Sequence, residues 1–225
     1  MSLLVFCPTR GRPAAAEAAW KSFVATKQLA DTAMVFVVDD DDPSDYSTSL
    51  PVLRVPNAGS MNGALQAAVD LQNASSRDIT YYGFVGDDHR FRTPGWDYRI
   101  RGVLDASGGG FAYGNDTNRN DIPTQVFVSS SIVKALGYFG LRGCRHLYLD
   151  DAWRVLGDGA DCLFYFPDVV IEHMHPTSNK GTWDANYERV NSAEMYSHDQ
   201  AVFAAWLETE AERDIRIVRD VLGKP

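Results

Sequence analysis

The sequence predicts an α/β fold in which a mixed, mostly parallel central sheet is flanked by helices and followed by a helical tail. Two observations carry this expectation. Short apolar runs alternate with amphipathic stretches in the order strand, helix, strand, strand, helix, strand through the N-terminal half, the order that crossover connections impose on a parallel sheet. Several of those runs also stop abruptly at acids, as at Asp39-Asp40-Asp41-Asp42 and Asp87-Asp88. Charges cannot continue a strand buried on both faces. They must lie in loops at its carboxyl end, where ligands collect in such sheets.

The first predicted element is a strand over Leu3 to Phe6, stopped by Cys7-Pro8-Thr9-Arg10-Gly11-Arg12-Pro13. A helix follows from Ala14 to Leu29, because Trp20, Phe23 and Val24 fall at i, i+3 and i+4 and Pro13 suits a first helical turn. Met34 to Val38 is predicted as a buried strand running into the four acids, and Pro51 to Val55 as a short third strand. Ser60 to Leu71 makes an amphipathic helix with Met61, Leu65, Ala68 and Val69 on one side, and Asn57-Ala58-Gly59-Ser60 supplies its turn and cap. Ile79 to Val85 is the next strand and ends at Gly86-Asp87-Asp88-His89.

Beyond Arg101 the pattern changes. Gly108-Gly109-Gly110 is a break, Phe111 to Tyr113 and Gln125 to Val128 are strand-like, and Ser130 to Leu136 is a short helix. Asp150 to Leu156 reads as helix, followed by strands at Cys162 to Phe166 and Val169 to Ile171. The tail from Ser192 to Leu222 is helical and charged, with Tyr196, Val202, Phe203 and Trp206 available for packing. There is no internal repeat.

Composition narrows the function classes. The 225 residues, 45% hydrophobic and 12% aromatic, supply one substantial core. A net charge of -9 weighs against a protein that wraps nucleic-acid phosphates, although a small nucleotide remains an open ligand. No stretch has the length of a membrane span and the first residues do not read as a signal peptide, so a cytoplasmic protein without membrane partners is expected. Cys7, Cys144 and Cys162 are odd in number and far apart, which predicts buried thiols and neither disulfides nor a CxxC metal site. Arg10 and Arg12, and then Arg90, Arg92, Arg99 and Arg101, form basic islands in this acidic chain. An island beside a bound diphosphate is the exception to a purely solvating role.

Three clusters carry chemistry: Gly86-Asp87-Asp88-His89, Leu149-Asp150-Asp151 and Glu172-His173-Met174-His175. Unpaired charges are costly inside a core, so the three are expected to converge on one site. Hard carboxylate oxygens plus imidazoles suit Mn2+ or Mg2+. Taken singly, each has a plain structural explanation. The first is a solvated turn, the second an acidic helix start that compensates the macrodipole, and any one histidine a satisfied core residue. In the third, Ile171, His173 and His175 alternate onto one face, which raises the odds of ligation by the pair.

At these residues the chain resembles the GT-A-fold glycosyltransferases, especially the family-two-like group. The Cys7-to-Pro13 loop, the acids after the second strand and the Asp87-Asp88 motif occur in the family's order. The resemblance implies a Rossmann-related catalytic domain over residues 1–190, with a nucleotide-binding half (1–101) and an acceptor and base half (102–190). Residues 191–225 form a helical extension outside it. It implies that Pro8, Thr9, Arg10, Arg12, Asp39 or Asp40, Asn62, Asp87 and Lys180 attend a nucleotide-sugar donor, with UDP favoured. Asp88 is the expected metal ligand, read either as the end of Gly86-Asp87-Asp88 or within Asp87-Asp88-His89, which leaves His89 as a further candidate. Either His173 or His175 completes the metal site. In inverting members an acidic pair opens a helix at this point and its second acid is the base, a role that falls on Asp151, with Asp150 supporting it. Thr93-Pro94-Gly95-Trp96-Asp97 also looks like the segment that follows the metal motif.

The expected reaction is metal-dependent, inverting transfer of a sugar to a hydroxyl acceptor, which the sequence leaves open among protein, glycan, small molecule and modified DNA base. Compact members of this size occur in bacteriophages, which would place the protein in the host cytoplasm. Two alternatives stand beside it. A nucleotidyltransferase acting on a sugar phosphate would show a Gly-rich basic loop that Thr9-Arg10-Gly11-Arg12 matches only in part. A noncatalytic nucleotide or carbohydrate-binding module would have no use for a base.

Overall fold

Strand β1 (Leu3–Pro8) is an apolar run sandwiched between layers of helix, and Leu3, Val5, Phe6 and Cys7 are all buried. The structure, a computed structural model, describes residues 2–225. After β1 come α1 (Pro13–Thr26), β2 (Thr32–Asp39), β3 (Val52–Val55), α2 (Met61–Ala74), β4 (Tyr81–Phe84), β5 (His89–Phe91) and α3 (Trp96–Ala106). The second half adds β6 (Phe111–Asn115), β7 (Val126–Ser129), α4 (Ser130–Leu136), α5 (Leu149–Gly159), β8 (Leu163–His173), α6 (Ala185–Val190), α7 (Ala193–Thr209) and α8 (Ala211–Val221).

The strands form one sheet in the order β3-β2-β1-β4-β7-β6-β8-β5. Strands β3, β2, β1 and β4 are mutually parallel, with helices connecting β1 to β2 and β3 to β4 and a loop over residues 40–51 connecting β2 to β3, whereas β7 runs antiparallel to both β4 and β6. Strand β8 returns parallel to β6 and antiparallel to β5, placing His173 opposite His89. The predicted α/β fold with a mostly parallel sheet is therefore the observed one.

Two apolar clusters fill the two faces. One joins Phe6, Tyr82, Phe84, Phe139, Trp153 and Leu156, and the other Val5, Phe23, Phe36, Phe91, Trp96 and Phe127. The tail is part of the first cluster, because Trp206, Ala211 and Val218 are buried in it. Residues 191–225 thus share the core of the domain and are not set apart from it. The three cysteines are buried and free.

Three elements differ from the sequence expectation. The predicted strands at Cys162 to Phe166 and Val169 to Ile171 are one strand, because the pairing with β6 skips from Phe166 to Val170 and absorbs Pro167 as an irregularity. Strand β5 is only three residues long and owes its extension to β8. Helix α3 was hidden by its charges, although Trp96, Ile100 and Leu104 recur every fourth residue and are fully buried.

Candidate active site

The carboxyl ends of β1, β2 and β4 open into a cavity of about 790 Å3 that the β5/β8 pair, the start of α5 and the segment after β8 enclose. All three acidic and histidine clusters reach it. Asp88, His89 and His173 stand together, their ligating atoms all within 4.8 Å of one another, and they are the one such group of metal-ligating side chains among the described residues.

The cluster is built from paired strands. His173 Nε2 lies 3.3 Å from Asp88 Oδ2, and His89 Nδ1 lies 3.2 Å from Asp88 Oδ1. The two imidazoles stack with centroids 4.3 Å apart. Gly86 makes room for this arrangement, since a Cβ there would meet Asp88 Oδ1 at 2.5 Å. Burial opposes ionisation of Asp88, but the adjacent His173 and His89 rings outweigh it and hold the carboxyl well below its ordinary range. Burial also opposes a charge on His173, yet the Asp88 carboxylate raises its pKa. For His89, burial dominates and the pKa falls.

His89 Nε2 is buried without a hydrogen-bond partner. Such a deficit costs free energy inside a protein. One carboxylate and two imidazoles form a donor set that fits a divalent cation. His175 lines the same cavity but is outside the cluster; its Nδ1 is engaged by Thr177 Oγ1 at 2.7 Å and it meets His173 edge-on.

Asp87 has a different role from Asp88. Its side chain turns back to β1, where Thr9 Oγ1 donates to it at 2.7 Å and Arg12 Nη1 lies 2.9 Å away. It ties the first loop to the end of β4. The Arg90 guanidinium donates to the carbonyls of Asp87 and His89, while Arg92, Arg99 and Arg101 pair with Glu172, Asp168 and Asp31. That island is spent on structure and is absent from the cavity lining.

At the opposite end, Pro8, Thr9, Arg10, Arg12 and Asp39 line the cavity. Arg10 Nη1 bridges Asp39 Oδ2 at 2.8 Å and Asp41 Oδ1 at 2.5 Å, which leaves Asp39 Oδ1 buried and without a partner. Asp40 is exposed, accepts the Asn57 N–H at 3.1 Å and lies outside the cavity. Two further expected donor contacts are structural. Asn62 is buried and donates to the carbonyls of Leu141 and Cys144, locking α2 to the loop before α5. Lys180 is engaged by Glu172 at 3.0 Å and Thr117 at 2.5 Å.

The acidic pair divides in the reverse of the expected way. Asp150 lines the cavity, and burial together with neighbouring Asp151 pushes its pKa up to about 6. Asp151 is off the cavity, with Arg154 Nη2 3.8 Å from its carboxylate. The reason is helical geometry: consecutive residues at the start of α5 diverge by about 100°, so only one of the two acids faces inward.

Several cavity residues were not anticipated. Asp116, at the end of β6, accepts from Asn118 N, Arg119 N and Thr124 Oγ1 and lies 3.9 Å from His173 Nδ1, backing that ring. An acid just past an apolar strand was the available signal. Tyr187 of α6 donates its hydroxyl to Asp88 and lies under the Arg12 guanidinium, 5.1 Å from its ring centroid. His146, Arg189, Asn191 and Tyr196 complete the wall, and no local pattern in the sequence marks them.

No protein-family model matches this sequence, and no curated protein matches it significantly. Solved structures do match in fold. The chain is similar to S. aureus TarS, with 13% identity and a TM-score of 0.59 over 92% of this chain, but it spans only 43% of the length of that protein. It is similar to mannosyltransferase PcManGT from Pyrobaculum calidifontis, solved with GDP-Man and Mn2+, at 12% identity and a TM-score of 0.57 over 98% of this chain and 84% of the other. It is also similar to glucosyl-3-phosphoglycerate synthase from Mycobacterium tuberculosis, solved with Mn2+, UDP-Glc and phosphoglyceric acid, at 11% identity and a TM-score of 0.62 over 100% of this chain and 80% of the other. The fold is that of the GT-A glycosyltransferases, and the likeness to the two latter structures includes the helical tail.

Proposed function

We propose that the protein is a metal-dependent glycosyltransferase that moves a sugar, with inversion, from a nucleotide-sugar donor to a hydroxyl acceptor. The observation that supports it best is the convergence of Asp88-His89-His173, the unpartnered Asp39 Oδ1 and Asp150 in one cavity. The fold neighbours solved with GDP-Man or UDP-Glc and Mn2+ favour the same reading. UDP is the favoured nucleotide, in the family-two-like manner that the motif order resembles.

Asp39 Oδ1 is the acceptor available to a base N–H, while Thr9, Arg10 and Arg12 shape the first loop around the nucleoside. Asp88, His89 and His173 would hold the cation, which when bound supplies positive charge to the departing diphosphate. Asp150 is the base. Its carboxylate removes the proton from the acceptor hydroxyl as the acceptor oxygen bonds to the anomeric carbon and the bond to the nucleoside diphosphate breaks. A base should be largely ionised near neutral pH yet still basic, and a pKa of about 6 meets both conditions.

No described helix is long and apolar enough to cross a membrane. The three buried free thiols fit a reducing cytoplasm. Titration calorimetry with UDP, with and without Mn2+, tests the donor site. Binding strengthened by Mn2+ is expected, and equal binding in both conditions overturns the reading.

A further inference from the structure

Asp199 on α7 is fully buried, 0% exposed, and does not line the cavity. Its carboxylate accepts three consecutive backbone N–H groups: Arg145 at 2.9 Å, His146 at 2.8 Å and Leu147 at 2.7 Å. Such a run of amides is a concave donor site that would otherwise seek an anion, and here α7 provides it from within the chain. One helical turn on, the Phe203 ring stacks on Tyr148 with centroids 5.3 Å apart and planes at 23°. Residues at i and i+4 share a helix face. Val202 packs beside Gly143, earlier in the same loop, where a Cβ would meet its Cγ1 at 3.1 Å.

What these contacts hold is the start of α5. Tyr148 is its N-cap and has a φ of 62°, a left-handed conformation that a bulky residue keeps only when its surroundings enforce it. No side chain caps that helix start. His146 and Leu147, whose amides Asp199 fixes, line the cavity on one side of Tyr148, and Leu149 and Asp150 line it on the other. The loop is tied from its other side by Asn62, which accepts nothing from it but donates to Leu141 and Cys144.

We propose that Asp199 is a positioning residue for Asp150, acting with Phe203 so that α7 sets the pose of the 145–148 loop and through it the direction in which α5 aims the base. This rests on the reading of Asp150 as the base. A helical tail that the sequence presents as an extension thus belongs to the catalytic machinery at one remove. Asp199 touches no substrate.

The test compares wild type with Asp199→Asn, which keeps volume but turns an amide N–H toward backbone donors, and with Phe203→Leu, which keeps burial but removes the stacked ring. Three quantities are read: UDP binding in Mn2+, steady-state hydrolysis of UDP-glucose with Mn2+, and the Asp150 carboxyl titration followed by carbon-13 NMR without ligand. In Asp199→Asn the UDP affinity is expected to stay within about two-fold while kcat falls about ten-fold or more at unchanged KM, the usual consequence of a displaced reacting group. The Asp150 titration is expected to shift downward toward the ordinary carboxylate range. Phe203→Leu should show the same pattern more weakly. A folded Asp199→Asn with the wild-type Asp150 titration overturns the inference, and if that variant fails to fold, a wild-type titration in Phe203→Leu does so instead. Asp150→Asn keeps the two ideas apart: its full activity defeats the base assignment, whatever Asp199 does to the loop.

Discussion

His173 lies flat against His89, the ring planes 15° apart, because β5 and β8 pair these two residues directly across an antiparallel ladder. The stack brings imidazoles from distant parts of the chain to the one carboxylate, Asp88, that both approach. Asp88→Asn and His173→Ala should therefore each remove most of the Mn2+-dependent part of UDP binding, on the order of 100-fold, and leave the metal-free part intact. Calorimetric titration with and without Mn2+ reads both. An undiminished Mn2+ effect in Asp88→Asn would remove it from the metal site.

The adjacent acids Asp39 and Asp40 should separate cleanly. Asp39 lines the cavity with Pro8 and Thr9 and its Oδ1 is buried without a partner, whereas Asp40 is solvated and accepts the Asn57 N–H. Asp39→Ala should weaken UDP binding about ten-fold, the effect of losing one buried hydrogen bond of about 1–2 kcal/mol. Asp40→Ala should stay within about two-fold. Equal losses in the two variants, measured by competition with a fluorescent nucleotide, would show that the base lies elsewhere.

How much of this was legible follows from what each residue answers to. The strand ends were readable because a buried strand cannot continue through Asp39-Asp40 or Asp87-Asp88, a local rule that requires no partner. The same rule, applied past β6, marks Asp116 as well. The division of labour within the Asp39-Asp40 and Asp150-Asp151 pairs was not readable. Whether Asp150 or Asp151 faces the cavity depends on the rotational phase of α5, which Tyr148 and its contacts with α7 fix from outside the helix. Lys180 and Asn62 were expected to contact the donor from the family resemblance of the motif order, but Glu172 and the Leu141 and Cys144 carbonyls claim them first. Strand β5 had no signal of its own, since three residues extend only where β8 pairs with them.

Tyr187 introduces a competitor for the metal site. Its hydroxyl donates to Asp88 Oδ2, the oxygen that His173 Nε2 also approaches at 3.3 Å, and burial together with the Asp88 carboxylate pushes the tyrosine pKa upward. Tyr187→Phe should bind Mn2+ a few-fold more tightly in the absence of nucleotide, because the cation no longer displaces a charge-assisted hydrogen bond. Electron paramagnetic resonance of free Mn2+ measures this directly. Unchanged or weaker Mn2+ binding would mean that the hydroxyl supports the site and does not compete for it.

Asp150 should set both the pH dependence of the reaction and part of the stability of the protein. Burial and Asp151 raise its pKa to about 6 from the ordinary carboxylate value of about 4. Between these values the folded chain holds a proton that the unfolded chain has released, so stability falls as pH rises through that window. At about 1.4 kcal/mol per unit the full effect is on the order of 1–3 kcal/mol. Asp150→Asn carries no such charge. It should match wild type in melting temperature near pH 4 and exceed it by several degrees near pH 7.5. Transfer by wild type should rise with pH through about 6, as the base ionises, and should be lost in the variant. Thermal melts at both pH values decide the matter: a stability difference between wild type and Asp150→Asn that is the same at pH 4 and pH 7.5 would show that this carboxyl is not strained by its burial, and with it would go the physical ground for choosing Asp150 over Asp151.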